Sequence, residues 1–338
     1  MVPALAVADA LRADGAEVTF IGGERAEAEL VPAAGFPLNT IAVEGLSRSN
    51  PLRAARALVR ALAAVVRARS MLRTLAPDAV MGGGGYVAGP VGVAALSLRI
   101  PLVLTEADSH LGLTNRMLAP FARRVCLAFA LAGRDGHRYR VTGRPIPPPS
   151  QDRPKARQRF GIAPEETCVL VFGGSLGARS INLAAVEAFA AAPFHVLHVC
   201  GRRDHSELAN RELPAGYDLR EYLDLAEFAD ALAAADLVVS RAGGSVFEIA
   251  AHGLPAILVP YPHASGDHQS ENARWMSDAG AAVVIADGQL CAARLGGEVA
   301  ALLADRDRLA AMASAARSLA RPDAAREVAG ELIEAAER

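Results

Sequence analysis

The sequence predicts an α/β protein built of two Rossmann-like, doubly wound domains with a cleft between them. Three observations predict it. Short apolar runs alternate with longer helical patterns, which is the mark of parallel sheets covered by helices on both faces. That pattern runs twice along 338 residues, a length that accommodates about two domains of roughly 100–200 residues each. Between the two runs, Pro145–Pro154 (PIPPPSQDRP) carries five prolines and reads as a linker, because proline removes a backbone donor and fixes φ. The expected organisation is therefore a first domain over 1–144, a linker over 145–154, a second domain over 155–321, and a C-terminal helix over 322–338 that packs back on the first domain.

In chain order, Ala4–Asp14 reads as a helix, Val18–Gly22 as a strand, and Ala79–Met81 as a strand ending at a glycine cluster. Leu102–Thr105 reads as a strand and Gly112–Arg123 as helical. In the second run, Cys168–Phe172, Val196–Cys200, Leu237–Ser240 and Ala256–Pro260 are strand candidates. Leu176–Ala191, Leu225–Ala235, Val246–Ala251 and Gln269–Ala279 are the helical patterns between and after them. In wound sheets of this kind ligands sit outside the C-terminal strand ends.

Composition narrows the function classes. Hydrophobic residues make up 52% and the formal net charge is −2, so a large core is available and nothing draws the chain globally toward nucleic acid. Cys126, Cys168, Cys200 and Cys291 are widely spaced and fit isolated thiols better than a disulfide framework or a metal site. No metal centre or cofactor is expected. No apolar run reaches the length of a spanning helix. Asp9, Arg12 and Asp14 interrupt the N-terminal apolar stretch, so no signal peptide is expected in it.

Four loops carry the chemistry. CVLVFGGSLGARSIN (Cys168–Asn182) runs from a buried strand through a glycine loop into a helix, a plausible diphosphate site because a helix N-terminus offers unpaired N–H groups and partial positive charge. A plain structural turn remains the alternative, and no GK[ST] makes it a Walker loop. GGGGYVAG (Gly82–Gly89) places four glycines in a row, either for close approach to a ligand or for a flexible helix entry. SRAGGSVFEIAAHGLP (Ser240–Pro255) sets Ser245 three residues before Glu248. Glu248 is then a capping-box partner or a carboxylate for ribose hydroxyls. HASGDHQSENA (His263–Ala273) places Gln269 and Asn272 on one helix face, where amides suit sugar hydroxyls. A helix cap is the alternative there.

Taken together, GGYVAGP (Gly84–Pro90), GLTNRMLA (Gly112–Ala119), TGRPI (Thr142–Ile146), FGGSLGARSIN (Phe172–Asn182), SRAGGSVFEIA (Ser240–Ala250) and DHQSENA (Asp267–Ala273) resemble, in order and over nearly the whole chain, the MurG family of GT-B glycosyltransferases. The resemblance implies an inverting transfer of N-acetylglucosamine from UDP-GlcNAc to lipid I, the undecaprenyl-diphosphate-linked muramoyl-pentapeptide, giving lipid II for peptidoglycan. It implies a cytoplasmic enzyme, peripheral on the anionic inner face of the cell membrane, in company with other cell-wall synthesis proteins. On the donor side it implies that Gly173, Gly174, Ser175 and Gly177 hold the diphosphate, with Asn182 on the helix behind them. It further implies that Leu223, in Glu221-Tyr222-Leu223, reads uracil, that Arg241 stands near the donor, that Glu248 binds ribose, and that Gln269 and Asn272 bind the transferred sugar. On the acceptor side it implies Gly83, Gly84, Gly85, Tyr86 and Asn115. Glu106 and Asp108 are both candidates for the general base.

The chain departs from the family pattern in several places. Thr105-Glu106-Ala107-Asp108 stands where the family has HEQN. A family arginine falls on Pro147, so its donor contact is either absent or moved to Arg144. The SRAGG-to-glutamate spacing is one residue shorter, and His268 replaces a glutamine found in some members. The family opens with a strand and GGTGGH, and Met1 aligns just after that histidine, at a family valine. A start codon assigned too far downstream is the expectation, and in-frame upstream DNA lacking a GG-x-x-GH stretch would refute it.

Pro51–Pro77 contains Arg53, Arg56, Arg60, Arg67, Arg69 and Arg73 and no acid. Arg53, Arg56, Arg60 and Arg67 share a helix face, with Leu58, Leu62, Val65, Val66 and Leu72 largely opposite. Such a helix sits at an anionic membrane or packs its apolar face into the core. Two other readings compete: a GT-B UDP-sugar transferase acting on another lipid such as diacylglycerol, and a non-catalytic UDP-sugar-binding remnant. A dehydrogenase is disfavoured, since neither domain opens on GxGxxG with a matching ribose acid.

Overall fold

The computed structural model describes residues 1–24, 26–41, 51–174, 176–264 and 267–337; for Ala26 and residues 51–59 it describes the helix and not the side chains. The chain divides into two compact units, 1–147 with 323–338, and 148–322.

The first unit contains α1 (Val2–Ala13), β1 (Phe20–Gly22), α2 (Ala26–Ala33), β2 (Leu38–Thr40), α3 (Pro51–Leu75), β3 (Val80–Gly82) and α4 (Gly85–Ser97). It continues with β4 (Leu102–Glu106), α5 (Leu113–Leu118), β5 (Arg124–Leu127) and β6 (Tyr139–Val141). Strands β3-β4-β5-β6 form one parallel sheet, and β1-β2 a separate parallel pair. Strand alternation assigns the two faces of the larger sheet. Leu102 and Leu104 of β4 pack with Ala64, Ala68 and Leu72 of α3 and Ala94 of α4. Val103, between them, packs on the opposite side with Val7 of α1 and Val328.

The second unit contains α6 (Arg153–Arg159), β7 (Cys168–Phe172), α7 (Arg179–Ala188), β8 (His195–Val199), α8 (His205–Leu208), β9 (Tyr217–Arg220) and α9 (Leu225–Ala234). Then come β10 (Leu237–Ser240), α10 (Val246–Ala251), β11 (Ala256–Leu258), α11 (His268–Asp278), β12 (Ala282–Val284), α12 (Ala292–Ala304) and α13 (Arg306–Leu319). Its six strands form one parallel sheet in the order β12-β11-β10-β7-β8-β9. Every residue of β7, β8, β10 and β11 is buried, which accounts for the largely apolar runs that His195, His198 and Ser240 interrupt. One face, through Val169, Val171, Val196 and Val239, packs on α7 and α12.

The final helix α14 (Ala324–Ala336) belongs to the first unit. Its Glu331 is buried and accepts from Arg124 Nε at 2.5 Å and Arg140 Nη1 at 2.6 Å, which ties the chain's last turns to β5 and β6. The division at Pro147/Pro148 differs from the expected ten-residue linker. Asp152 caps the Lys155 N–H, and α6 starts at Arg153 with Pro154 in its first turn, where a missing N–H is no loss.

The amphipathic reading of α3 also needs correction. Ala64, Ala68 and Leu72 enter the core, while Leu62 and Val66 lie 60% and 69% exposed, so the apolar set does not face the core as one stripe. Arg69 donates to Ser97 Oγ. The side chains of Arg53, Arg56 and Leu58 lie outside the described residues.

Candidate functional site

In the second unit the strand order turns back at β7 and β10, and the segments after β7, β9, β10 and β11 carry the expected donor residues. Gly174 and Gly177 sit at φ +89° and +76°, and Gly177 N–H donates to Gly174 O at 2.9 Å. Ser175 lies outside the described residues. Among the described residues no side chain caps α7, so its first-turn N–H groups are available to an anion.

Leu223 is buried. Two residues before it, the Glu221 carbonyl accepts from Gly201 N–H at 3.0 Å. A Cβ on Gly201 would stand 2.3 Å from Gly177 N. The expected uracil-reading segment and diphosphate loop are thus joined through the turn at Gly201.

Arg241 is a tie among elements. It is 9% exposed and donates to Val259 O, Pro260 O, Asp287 Oδ1 at 2.6 Å and Ser180 Oγ at 2.9 Å. Ser180, in the first turn of α7, itself donates to Asp287 Oδ1 at 2.7 Å. Burial pushes the Asp287 carboxyl up, but the hydrogen bonds from Ser180 and Arg241 and the nearby cationic charge outweigh it, and its pKa is lowered. Arg241 therefore directs its guanidinium at protein partners and fixes the start of α7.

Glu248 is half-buried in the first turn of α10. Ser245 makes no side-chain cap bond there, so the capping-box reading does not hold. Gln269 Oε1 accepts from Tyr261 N–H at 2.9 Å, and Asn272 Nδ2 donates to Ala242 O at 3.0 Å and Gly243 O at 3.4 Å. The two amides brace the loops after β11 and β10. Asn272 Oδ1 is buried and accepts nothing from the protein, the condition in which a polar ligand is favoured.

In the first unit, Gly84 (φ +77°) is the N-cap of α4, Gly85 lies at φ +78°, Gly83 is exposed, and Tyr86 is 64% exposed in the first turn. Thr114 donates to Gly85 O at 3.1 Å. Glu106 is buried, and its carboxylate collects the N–H groups of Ala107 (3.0 Å), Asp108 (3.3 Å) and Gly112 (2.8 Å) together with Asn115 Nδ2 (3.0 Å). Such a nest fixes the loop around the buried side chain. Asn115, 1% exposed, also donates to Thr105 O at 2.9 Å and leaves its Oδ1 unpaired. Asp108 stands in the organised loop, partly exposed. Arg144 belongs to this unit and not to the unit of the donor loops.

Sequence reasoning missed Asp287, Ser180, Asp204 and His198. Asp287 lies 46 residues from Arg241, and no spacing rule joins them. Ser180 lies inside the noted FGGSLGARSIN stretch, where a polar residue in a helical first turn was the available signal.

The geometry agrees with the comparisons. Residues 168–328 match the glycosyltransferase family 28 C-terminal domain, and residues 1–127 its N-terminal domain. A protein of Moorella thermoacetica named UDP-N-acetylglucosamine--N-acetylmuramyl-(pentapeptide) pyrophosphoryl-undecaprenol N-acetylglucosamine transferase is 43% identical over 341 residues, covering 95% of this chain and 92% of the relative. A protein of the same name from Rubrobacter xylanophilus is 43% identical, covering 97% and 98%. The crystal structure of Acinetobacter baumannii MurG aligns with a TM-score of 0.75 at 30% identity, covering 98% of this chain and 95% of that one. The two parallel-sheet units have the two-domain GT-B architecture, and the chain belongs to glycosyltransferase family 28.

Proposed function

We propose that this chain transfers N-acetylglucosamine from UDP-GlcNAc to the muramoyl sugar of lipid I, with inversion, to give lipid II. The observation that carries the reading is the set of segments that follow β7, β9, β10 and β11 of one parallel sheet and bear the start of α7, which no described side chain caps, with Glu248, Gln269 and Asn272, in a chain 43% identical to transferases of that name. The N–H groups of α7 and the glycine loop stabilise the charge that develops on the departing diphosphate. Glu248 takes the ribose hydroxyls. Gln269 and Asn272, each already bonded to a loop backbone, turn their remaining polar atoms to the transferred sugar. In the first unit, Asn115 and Gly83–Tyr86 receive the acceptor.

The acceptor hydroxyl must lose a proton as the glycosidic bond forms. Glu106 is tied by four donors and suits the role of holding the loop. Asp108, with its side chain partly in solvent, is the better-placed base of the two candidates.

The decisive assay is transfer of labelled N-acetylglucosamine from UDP-GlcNAc to a lipid I analogue. Transfer to diacylglycerol but not to lipid I assigns the chain to another lipid-acceptor transferase. UDP-GlcNAc binding without turnover on either acceptor assigns it a non-catalytic role.

Peripheral membrane contact is part of the reading. No helix among the described residues is long and apolar enough to cross a membrane. Leu113, Met117 and Phe121 are 49%, 66% and 70% exposed along α5 and the turn after it, and Leu62 and Val66 lie exposed near Arg60, Arg67 and Arg73 on α3. Apolar side chains among cations favour an anionic lipid surface. Sedimentation with anionic vesicles should fall sharply in a Met117→Asp/Phe121→Asp variant, and unchanged sedimentation would remove this part of the reading.

A further inference from the structure

His198, on β8 of the second unit, is fully buried. Its Nε2 lies 3.0 Å from Asn182 Oδ1, and its Nδ1 lies 2.7 Å from the Tyr217 hydroxyl on β9. The direction of every bond can be assigned. Asn182 Nδ2 donates to Cys200 O and to Asp204 Oδ2, both at 2.8 Å, so Asn182 Oδ1 is an acceptor. His198 Nε2 must then carry the proton, Nδ1 must accept, and Tyr217 must donate. Burial pushes the imidazole down to about 3, against a smaller upward pull from Asp204. It also pushes the Tyr217 phenol up. Both groups stay neutral at physiological pH, the state this one arrangement requires.

The chain of bonds ends under the glycine loop. A Cβ on Gly177 would stand 2.0 Å from Cys200 O, the same carbonyl that Asn182 binds from α7. The loop, the first turns of α7 and the Cys200–Gly201 turn are therefore locked in one packing. Arg179, the first residue of α7, adds an ion pair to the buried Asp204 at 3.0 Å.

We propose that Tyr217, His198 and Asn182 form a positioning chain that seats the Gly173–Ala178 loop on the Cys200–Gly201 turn, and that diphosphate recognition depends on it. This rests on the donor-site reading above. None of the three touches the ligand; they fix the backbone donors that do, which is how supporting hydrogen bonds preorganise a site.

The test separates the diphosphate from the nucleoside. Calorimetric titration of the full chain with UDP and with uridine is compared for the unaltered protein, Asn182→Asp and Tyr217→Phe. Asn182→Asp turns a carboxylate toward Asp204 and removes the donor to Cys200 O, so UDP affinity falls at least about tenfold. Tyr217→Phe keeps the ring and deletes one buried hydrogen bond, so UDP affinity falls about fivefold; it carries the test alone if Asn182→Asp fails to fold. Uridine affinity falls by clearly less than UDP affinity in both. Equal losses for UDP and uridine, or no loss for UDP, overturn the proposal. An unaltered chain that binds neither ligand overturns the donor-site reading, and this inference with it.

Discussion

The two units organise their loops by opposite means. In 148–322, side chains reach from one element to another: Arg241 joins α7, the end of β11 and Asp287, Asn272 reaches the loop after β10, and Gln269 reaches the loop after β11. In 1–147, a single carboxylate, Glu106, gathers three N–H groups and the Asn115 amide of one continuous stretch. A distributed brace loses stability in increments, whereas a loop gathered on one anion fails when that anion goes.

The largest expected effect follows directly. Glu106→Ala leaves four donors without their acceptor, at about 1 kcal/mol each. Acceptor-dependent turnover should drop roughly a hundredfold or more, while UDP affinity by calorimetry stays as it was. If UDP affinity falls in parallel, the two loop systems are not independent and the comparison breaks.

Arg241→Met should be less severe. It leaves Asp287 without its cation and Ser180 with one partner fewer, and UDP-GlcNAc affinity should weaken about tenfold with the lipid acceptor KM unchanged. Gln269→Ala removes a single acceptor from the Tyr261 N–H, and a loss of about fivefold in donor KM is expected. An effect equal to that of Arg241→Met would show that Gln269 contributes mainly through the sugar.

The smallest effect at neutral pH concerns Glu331. Burial pushes its carboxyl up, but hydrogen bonds from Arg124 and Arg140 outweigh this, and its pKa is lowered. A carboxyl lower in the folded state contributes stability above its unfolded pKa, roughly 4.3, and loses it as pH falls through the lower folded value. Thermal scans should show the first unit weakening below about pH 4, with the acid dependence reduced in Glu331→Gln.

Much of this architecture was legible in the residues. Cys168–Phe172 and Leu237–Ser240 fall where their apolar runs place them, because strands buried on both faces are largely apolar, and the helix Val246–Ala251 falls where its pattern places it. The unread strands β2, β6, β9 and β12 lie at sheet edges, where only one side pairs and sequences such as Tyr217–Arg220 remain half polar. Central β5 was hidden by its four-residue length and by the helical pattern before it, which ends at Leu118 in α5 and passes through a 3-10 turn.

The donor loops were readable as motifs, because glycine and amide chemistry is local. The braces were not. Arg241 meets Asp287, and His198 meets Asn182 and Tyr217, only after strands far apart in sequence lie side by side.

The return of α14 to the first unit has a consequence for synthesis. A ribosome releases 148–322 as a continuous stretch, while the earlier-made 1–147 still waits for Glu331 to arrive between Arg124 and Arg140. Units of a chain fold as they emerge, so here the second half in sequence is ready first. Released chains truncated before residue 323 should display a protease-resistant 148–322 and a sensitive 1–147, a reversal of the usual order from the amino end.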